Sequence, residues 1–237
     1  MCTLGDDLLW PSATRTTSCP GHPRKAVLAF RGSFITCEVI EKLRVEPYRD
    51  GMMKTNTFTV HTIESAPEKS KPTLQGMKQK FGFLPNIMGT MAENPTLLNG
   101  FTGAFGSFHS GSFNEAEKQV LLLTNAVFFK APWTIAAHSA FALLDGLSES
   151  EVKALRDGKL PEDPKYAALS QLSKAVLANR GNVTEADIEV FTSVGYSRAQ
   201  IFEVVLGVGI STITATITNL AGTPIDDPFK AQTWSRS

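Results

Sequence analysis

The segment between Glu117 and His138 carries the residues whose types and spacing best suit chemistry. Glu117 and Gln119 lie at the start of an apolar run, and His138 follows in an alanine-rich stretch after the break at Ala131-Pro132. In a small apolar pocket, a histidine with a pKa of about 6.5 suits proton transfer at neutral pH. The same side chain could instead be buried and hydrogen-bonded to a backbone carbonyl or to Gln119. Both interpretations of His138 stay open.

Metal chemistry finds little support in the sequence. His22, His61 and His109 are isolated from one another, and no cysteine or carboxylate stands near them at the spacing that metal ligands usually have. Glycine-rich nucleotide-binding fingerprints are also absent. We therefore expect neither a metal site nor a cofactor.

The cysteines are confined to the first part of the chain. Cys2, Cys19 and Cys37 are the three cysteines, and residues 38–237 contain none. Three is an odd number, and their spacing shows no disulfide framework. Chemistry that needs a thiolate cannot come from residues 38–237.

Composition and charge narrow the classes of partner. Of the 237 residues, 42% are hydrophobic, and 23 basic residues balance 23 acidic ones. A phosphate-binding surface normally brings a basic excess, so we expect no nucleic-acid partner. The longest apolar run, 206–220, is interrupted by serine, threonine and asparagine, which predicts no membrane span. The N-terminus lacks the pattern of a signal peptide, and a cytoplasmic protein is the expectation.

Local patterns predict that the body of the chain is helical. Apolar residues recur at intervals of three and four, and a glycine follows most of the predicted helices. The β-branched run 210–217 is read as helix because it continues a capped pattern. We predict an all-α fold of about seven or eight helices. The predicted helix starts are Asn94-Pro95, Asn114 with Glu117, Ser148 with Glu151, Asp163-Pro164, Thr184 with Asp187, and Ser197 with Gln200.

The first 64 residues differ in character from the rest. They are rich in proline and turn-forming residues, and only the apolar stretch 26–40 could pair as a strand or form a weak helix. We interpret 1–64 as an extension that is poorly ordered or precedes the natural start, 65–230 as the helical domain and 231–237 as a tail.

Three separate motifs share one family resemblance. They are Phe81-Gly82-Phe83-Leu84-Pro85-Asn86 with Asn94-Pro95, the segment 117–138, and Leu220-Ala221-Gly222-Thr223-Pro224-Ile225-Asp226. In this order the sequence resembles the carboxymuconolactone decarboxylase and AhpD-like alkylhydroperoxidase family, over about residues 70–228, and its peroxidase-related branch in particular. The resemblance implies an AhpD-like helical bundle and self-association into a homo-oligomer.

The resemblance also implies where a redox site would lie. Redox members carry a glutamate, then a Cys-x-x-Cys motif, then a histidine. Aligned from His138, the two cysteine positions fall on Ala131 and Thr134, and the glutamate position falls on Gln119. None of these three side chains can replace the group that is lost, because alanine, threonine and glutamine supply neither a thiolate nor a titrating carboxylate.

Other family features are retained. Glu117 stands where the family often has an earlier glutamate, and Trp133 stands where an aromatic residue is usual. Trp133 and Phe129 are the expected walls of a pocket for a small apolar or carbonyl ligand.

Three functions follow as hypotheses. The first is a redox-incompetent homologue that keeps its pocket as a binding or scaffold protein. The second is a cofactor-free acid–base enzyme, of decarboxylase or lactone type, that uses His138. The third is a peroxidase-related antioxidant protein, which would need Cys2, Cys19 or Cys37 to reach the pocket.

Overall fold

A computed structural model describes residues 58–234, together with the backbone of two short strands nearer the N-terminus. Strands β1 (Leu28–Phe30) and β2 (Ser33–Ile35) pair antiparallel, with Leu28 opposite Ile35. The apolar stretch 26–40 therefore contains strands, one of its two expected forms. The three cysteines, the rest of the predicted extension up to residue 57 and the last three residues lie outside the described part. The chain divides into two compact units, 1–53 and 54–237, and the second contains everything that follows.

Nine α-helices and two 3-10 helices build the described part of the second unit. The α-helices are α1 (Lys71–Phe81), α2 (Asn86–Met91), α3 (Pro95–His109), α4 (Glu115–Phe128), α5 (Pro132–Leu144), α6 (Glu149–Arg156), α7 (Pro164–Ala178), α8 (Glu185–Ser193) and α9 (Arg198–Ala221). One 3-10 helix, Glu68–Ser70, precedes α1, and a C-terminal 3-10 helix covers Asp227–Gln232. The all-α prediction is confirmed.

The predicted helix starts are confirmed by their caps. The side chains of Asn114, Ser148, Thr184 and Ser197 each accept a hydrogen bond from the backbone N–H three residues on. The backbone N–H of each cap residue donates the reciprocal bond of a capping box to the side chain at that position. The β-branched run 210–217 is helical within α9. Helix α9 ends at Gly222, which has a left-handed backbone conformation (φ 61°) and donates its N–H to the carbonyl of Thr218.

The short helix α2 is absent from the sequence prediction. It has six residues and follows Pro85, so it is too short to show a helical repeat of apolar residues. Ile87, Met88 and Met91 are all buried, which shows that tertiary packing stabilises it.

Helix α4 lies at the centre of the bundle. Every residue from Glu117 to Ala126 is buried, so the helix is enclosed on all of its faces. It packs against α5, α7 and α9. Buried polar side chains fix its register: Asn125 Nδ2 donates to Ser211 Oγ (3.1 Å), and Ser173 Oγ donates to Asn125 Oδ1 (2.6 Å).

Helix α9 approaches α4 closely at Gly207. A Cβ atom there would overlap the side chain of Leu121 and lie 2.9 Å from the ring of Phe108. Any larger residue at this position would force the Leu121 side chain to shift, so glycine permits the close contact between the two helices.

Helix α9 is also long and apolar enough to cross a membrane by length and composition. An 18-residue window has a mean hydropathy of 1.7, and 33% of that window is buried. A core helix of a soluble protein can have the same composition, and α9 packs against α3, α4, α5 and α7.

Candidate functional site

One cavity of about 270 Å³ lies among helices α1 to α5, α9 and the C-terminal 3-10 helix. Six aromatic side chains and four other apolar residues give it the mostly apolar surface typical of small-molecule sites. Seven polar side chains complete the lining. The aromatic walls are Phe81, Phe101, Phe105, Trp133, Phe141 and Phe229, and the titratable or amide side chains are Lys80, His109, Glu115, Gln119, His138 and Asp145.

The C-terminal segment closes one side of the cavity. The ring of Phe229 meets Trp133 and Phe141 edge-on, with ring centres 5.9 Å and 5.2 Å apart. Such edge-to-face contacts hold aromatic rings in fixed orientations. The wall thus depends on a segment almost a hundred residues away from Trp133 in sequence.

Asp226 holds this wall in place. Its carboxylate accepts a hydrogen bond from Trp133 Nε1 (2.8 Å) and another from the backbone N–H of Asn86 (2.9 Å). Burial raises the pKa of Asp226, while the two donors act in the opposite direction. The carboxylate therefore joins the start of α2, the start of α5 and the C-terminal segment around the cavity.

A chain of three polar side chains forms the other side. His138 Nδ1 lies 3.0 Å from Gln119 Oε1, and Gln119 Nε2 donates to Asp145 Oδ2 at 3.0 Å. Gln119 as the partner of His138 was one of the two alternatives expected from the sequence. Asp145 was not predicted as a site residue, because it is 26 residues from Gln119 and no local pattern connects them.

His138 is neutral at physiological pH. It is half-buried and lines the cavity. Burial lowers its pKa to about 3, and the positive charge that His109 can carry lowers it further. An imidazole with so low a pKa is a weak base, although its lone pair still accepts hydrogen bonds.

His109 is a second histidine of the same cavity, and one carboxylate lies close to it. Its ring packs 4.2 Å from the ring of Phe105, and its Nδ1 lies 3.8 Å from Glu115 Oε2. Burial lowers its pKa to about 4, with a smaller effect from the charge of Lys80. His109 ends α3, 29 residues before His138, and only the packing of α3 against the rest of the bundle reveals the pair.

Glu117 lies outside the cavity lining and stabilises the fold. Its Oε2 closes the capping box of α4, and its Oε1 accepts from Lys165 Nζ (2.9 Å) and Tyr196 Oη (3.1 Å). Burial and the charge of Glu117 both raise the pKa of Tyr196. These contacts occupy both oxygens of the Glu117 carboxylate.

The two positions aligned with the family's cysteines are buried at the start of α5. Ala131 precedes the first helical residue, and its carbonyl accepts from the backbone of Ile135 (2.9 Å). Thr134 Oγ1 lies 3.4 Å from Thr218 Oγ1. Neither residue belongs to the cavity lining.

The two expected pocket walls lie in different places. Trp133 lines the cavity, whereas Phe129 is half-buried outside the lining and its ring meets that of Phe128 at 5.5 Å. Within residues 58–234, no three His, Cys, Asp or Glu side chains are arranged to hold a metal ion.

Solved structures share this fold. An uncharacterized peroxidase-related protein from Ralstonia eutropha JMP134, described as an alkylhydroperoxidase AhpD core, is 17% identical with a TM-score of 0.66, over 73% of this chain and 93% of that one. A peroxidase-related protein from Silicibacter sp. TM1040 is 19% identical with a TM-score of 0.63, over 78% of this chain and 100% of that one.

The debrominase Bmp8 also has this fold. Its cysteine-to-alanine variant in complex with 2,3,4-tribromopyrrole is 20% identical with a TM-score of 0.59, over 77% of this chain and 97% of that one. At these identities the likeness shows a common AhpD-like fold. The sequence itself matches no protein-family model and no curated protein.

The lowered pKa of His138 predicts a loss of stability in acid. Because the folded-state pKa lies below the ordinary value, the unfolded chain binds the proton first, and stability falls as the pH drops from about 6.5 toward about 3. His138→Leu removes this proton uptake. Between about pH 7 and about pH 4.5, urea-unfolding free energies should fall by about 2 kcal/mol less in the variant than in the unchanged chain. Equal losses in the two proteins would contradict the burial of this imidazole.

The aligned cysteine positions can be tested by restoring the motif. In the combined variant Ala131→Cys, Thr134→Cys and Gln119→Glu, the two thiols stand three residues apart at the start of α5. The helix N-terminus favours a thiolate by about 1 kcal/mol, so one thiol should titrate below about 8.5 and form an internal disulfide on mild oxidation. Mass spectrometry after alkylation measures the cross-link. Two thiols that alkylate independently would show that the alignment is wrong.

Proposed function

We propose that this protein binds a small apolar or aromatic ligand in the cavity and carries out no thiol chemistry there. The observation that supports the proposal is the cavity itself: about 270 Å³, with six aromatic side chains and a mostly apolar surface. An engineered apolar cavity of about 150 Å³ accommodates benzene, so this one has room for one substituted ring or two fused rings.

The distribution of cysteines supports the redox-incompetent hypothesis. No cysteine occurs between residues 38 and 237, and Ala131 and Thr134 stand at the aligned positions. A peroxidase-related activity, which the names of the similar structures suggest, would require a thiol from Cys2, Cys19 or Cys37. All three lie outside the described residues, so no observed geometry supports that alternative.

Acid–base chemistry on a lactone or carbonyl ligand is the second candidate function. The chain from Asp145 through Gln119 to His138 favours it, because it orients an imidazole toward the contents of a cavity. The low pKa of His138 weighs against it, since a general base acts best with a pKa near the working pH. Binding is therefore the better supported of the two.

The Bmp8 complex guides the choice of probe. A small halogenated ring, 2,3,4-tribromopyrrole, is bound in that structure of similar fold. The present cavity offers aromatic walls to a ring of comparable size. We choose 4-fluorotoluene as the probe, because it has no hydrogen-bond donor and therefore tests the apolar cavity alone.

The cavity can be tested by substituting a larger side chain for one residue of α9 that lines it. Thr214 lines the cavity, and its Oγ1 donates to the carbonyl of Ile210. We expect 4-fluorotoluene to bind the full chain with a Kd of the order of 1 mM or tighter, and Thr214→Phe to weaken binding at least about tenfold by occupying the space. Fluorine NMR titration measures both affinities.

The matched control is Thr212→Phe. Thr212 is exposed on the same helix, and its Oγ1 makes the same kind of hydrogen bond, to the carbonyl of Val208. This variant should keep the affinity, as should the chain with Cys2, Cys19 and Cys37 replaced by serine. Absence of binding to the unchanged chain, or equal affinities in the two threonine variants, would overturn the proposal.

We also propose that the protein self-associates through α9. Phe202 and Leu220 are 76% and 63% exposed on this helix, with the small exposed residues Gly209 and Thr216 between them. A second copy would remove this apolar surface from water. Sedimentation at micromolar concentration should give a mass above that of one chain, and Phe202→Lys should shift it toward the monomer. A monomeric mass for the unchanged chain would contradict self-association.

A further inference from the structure

We propose that the cavity selects ligands that donate a hydrogen bond, because Asp145 acts through Gln119 to fix the tautomer of His138 that leaves Nε2 as an acceptor. The inference rests on the proposed function, since it concerns the ligand of the same cavity. It names the ligand class: one aromatic ring, or two fused rings, with an O–H or N–H group, such as a phenol or an N–H heterocycle.

The first step is the orientation of the Gln119 amide. An ionised carboxylate only accepts hydrogen bonds, so the group that Gln119 turns toward Asp145 Oδ2 at 3.0 Å must be its NH₂. The carbonyl oxygen, Oε1, then faces His138. The reversed amide would place two acceptors, Oε1 of Gln119 and the carboxylate, against each other.

The second step is the proton on His138. Gln119 Oε1 can only accept, and it lies 3.0 Å from His138 Nδ1, so Nδ1 carries the hydrogen. Burial keeps the imidazole neutral at physiological pH. In a neutral ring only one nitrogen is protonated, and Nε2 therefore holds a lone pair.

The third step is the absence of a protein partner for that lone pair. Among residues 58–234, no donor makes a hydrogen bond to His138 Nε2, although the ring lines the cavity. Two neighbouring polar groups of the lining already have partners. Both ends of the Gln119 amide are paired, and Thr214 Oγ1 donates to the carbonyl of Ile210. A ligand donor is the group that would satisfy Nε2.

The choice between ligand classes follows from that acceptor. An O–H or N–H on the ring can donate to Nε2, whereas a methyl or halogen in its place leaves the nitrogen unpaired. A carboxylate would place its own lone pairs against that of Nε2. A hydrogen bond formed in such a site is expected to give a preference of about tenfold or more over an isosteric methyl group.

Two probes of equal size test the preference. 4-Fluorophenol and 4-fluorotoluene differ by a hydroxyl in place of a methyl group, and both are followed by fluorine NMR in titrations of the full chain. We expect 4-fluorophenol to bind about tenfold more tightly. His138→Leu should remove the preference while 4-fluorotoluene still binds, because the aromatic walls remain.

Asp145→Asn tests the orienting residue. The new amide can donate as well as accept, so Gln119 is free to reverse and the tautomer of His138 is no longer fixed. The preference for 4-fluorophenol should shrink several-fold. Asp157→Asn is the matched control: Asp157 follows α6 as Asp145 follows α5, and it is paired with Lys153 instead. It should leave the preference unchanged.

Nitrogen NMR of the ligand-free chain reads the tautomer directly. At neutral pH, His138 should show a protonated Nδ1 and an unprotonated Nε2, and Asp145→Asn should change this pattern. Equal affinities for the two probes, or a His138 ring protonated at Nε2, would overturn the inference while leaving the cavity proposal intact. Failure of both probes to bind would overturn the proposed function and the ligand class with it.

Discussion

The burial of α4 on every face is the constraint on which the rest of the structure depends. A polar side chain on a helix without a solvent face must find its partners inside the protein. Asn125 does so with serines of α7 and α9, which fixes the register of the bundle. Glu117 pairs with Lys165 and Tyr196. Gln119, on the same helix, pairs with His138 and Asp145 beside the cavity, so the polar contents of the site follow from the packing of its central helix.

The cavity joins parts of the chain that are far apart in sequence. Asp226 bonds to Trp133 and to the start of α2, and Phe229 covers the same wall. The C-terminal segment is therefore a structural part of the site. None of these contacts involves a thiol. Ligand binding in the cavity accordingly requires only side chains that line it.

Burial also decides which chemistry the histidines can support. His109 and His138 line the same cavity, and desolvation keeps both neutral at physiological pH. A neutral imidazole forms hydrogen bonds well, but with so low a pKa it is a weak general base. Acid–base catalysis would need a ligand or a movement that raises the pKa of His138, whereas hydrogen bonding to a ligand needs no such change.

The sequence by itself determined most of the helices and the confinement of the cysteines to the first 37 residues. Capping residues, glycine stops and apolar periodicity act over a few residues, so the starts at Asn114 and Ser197 and the all-α class could be predicted from local pattern. The absence of thiols after residue 37 is a matter of composition alone. The tertiary structure decided the site. Contacts between helices stabilise the six-residue helix α2 and bring His109 to the cavity. They also pair Asp145 with Gln119 and hold Glu117 outside the cavity. Such contacts join residues tens of positions apart, and no local preference of the backbone encodes which of them meet.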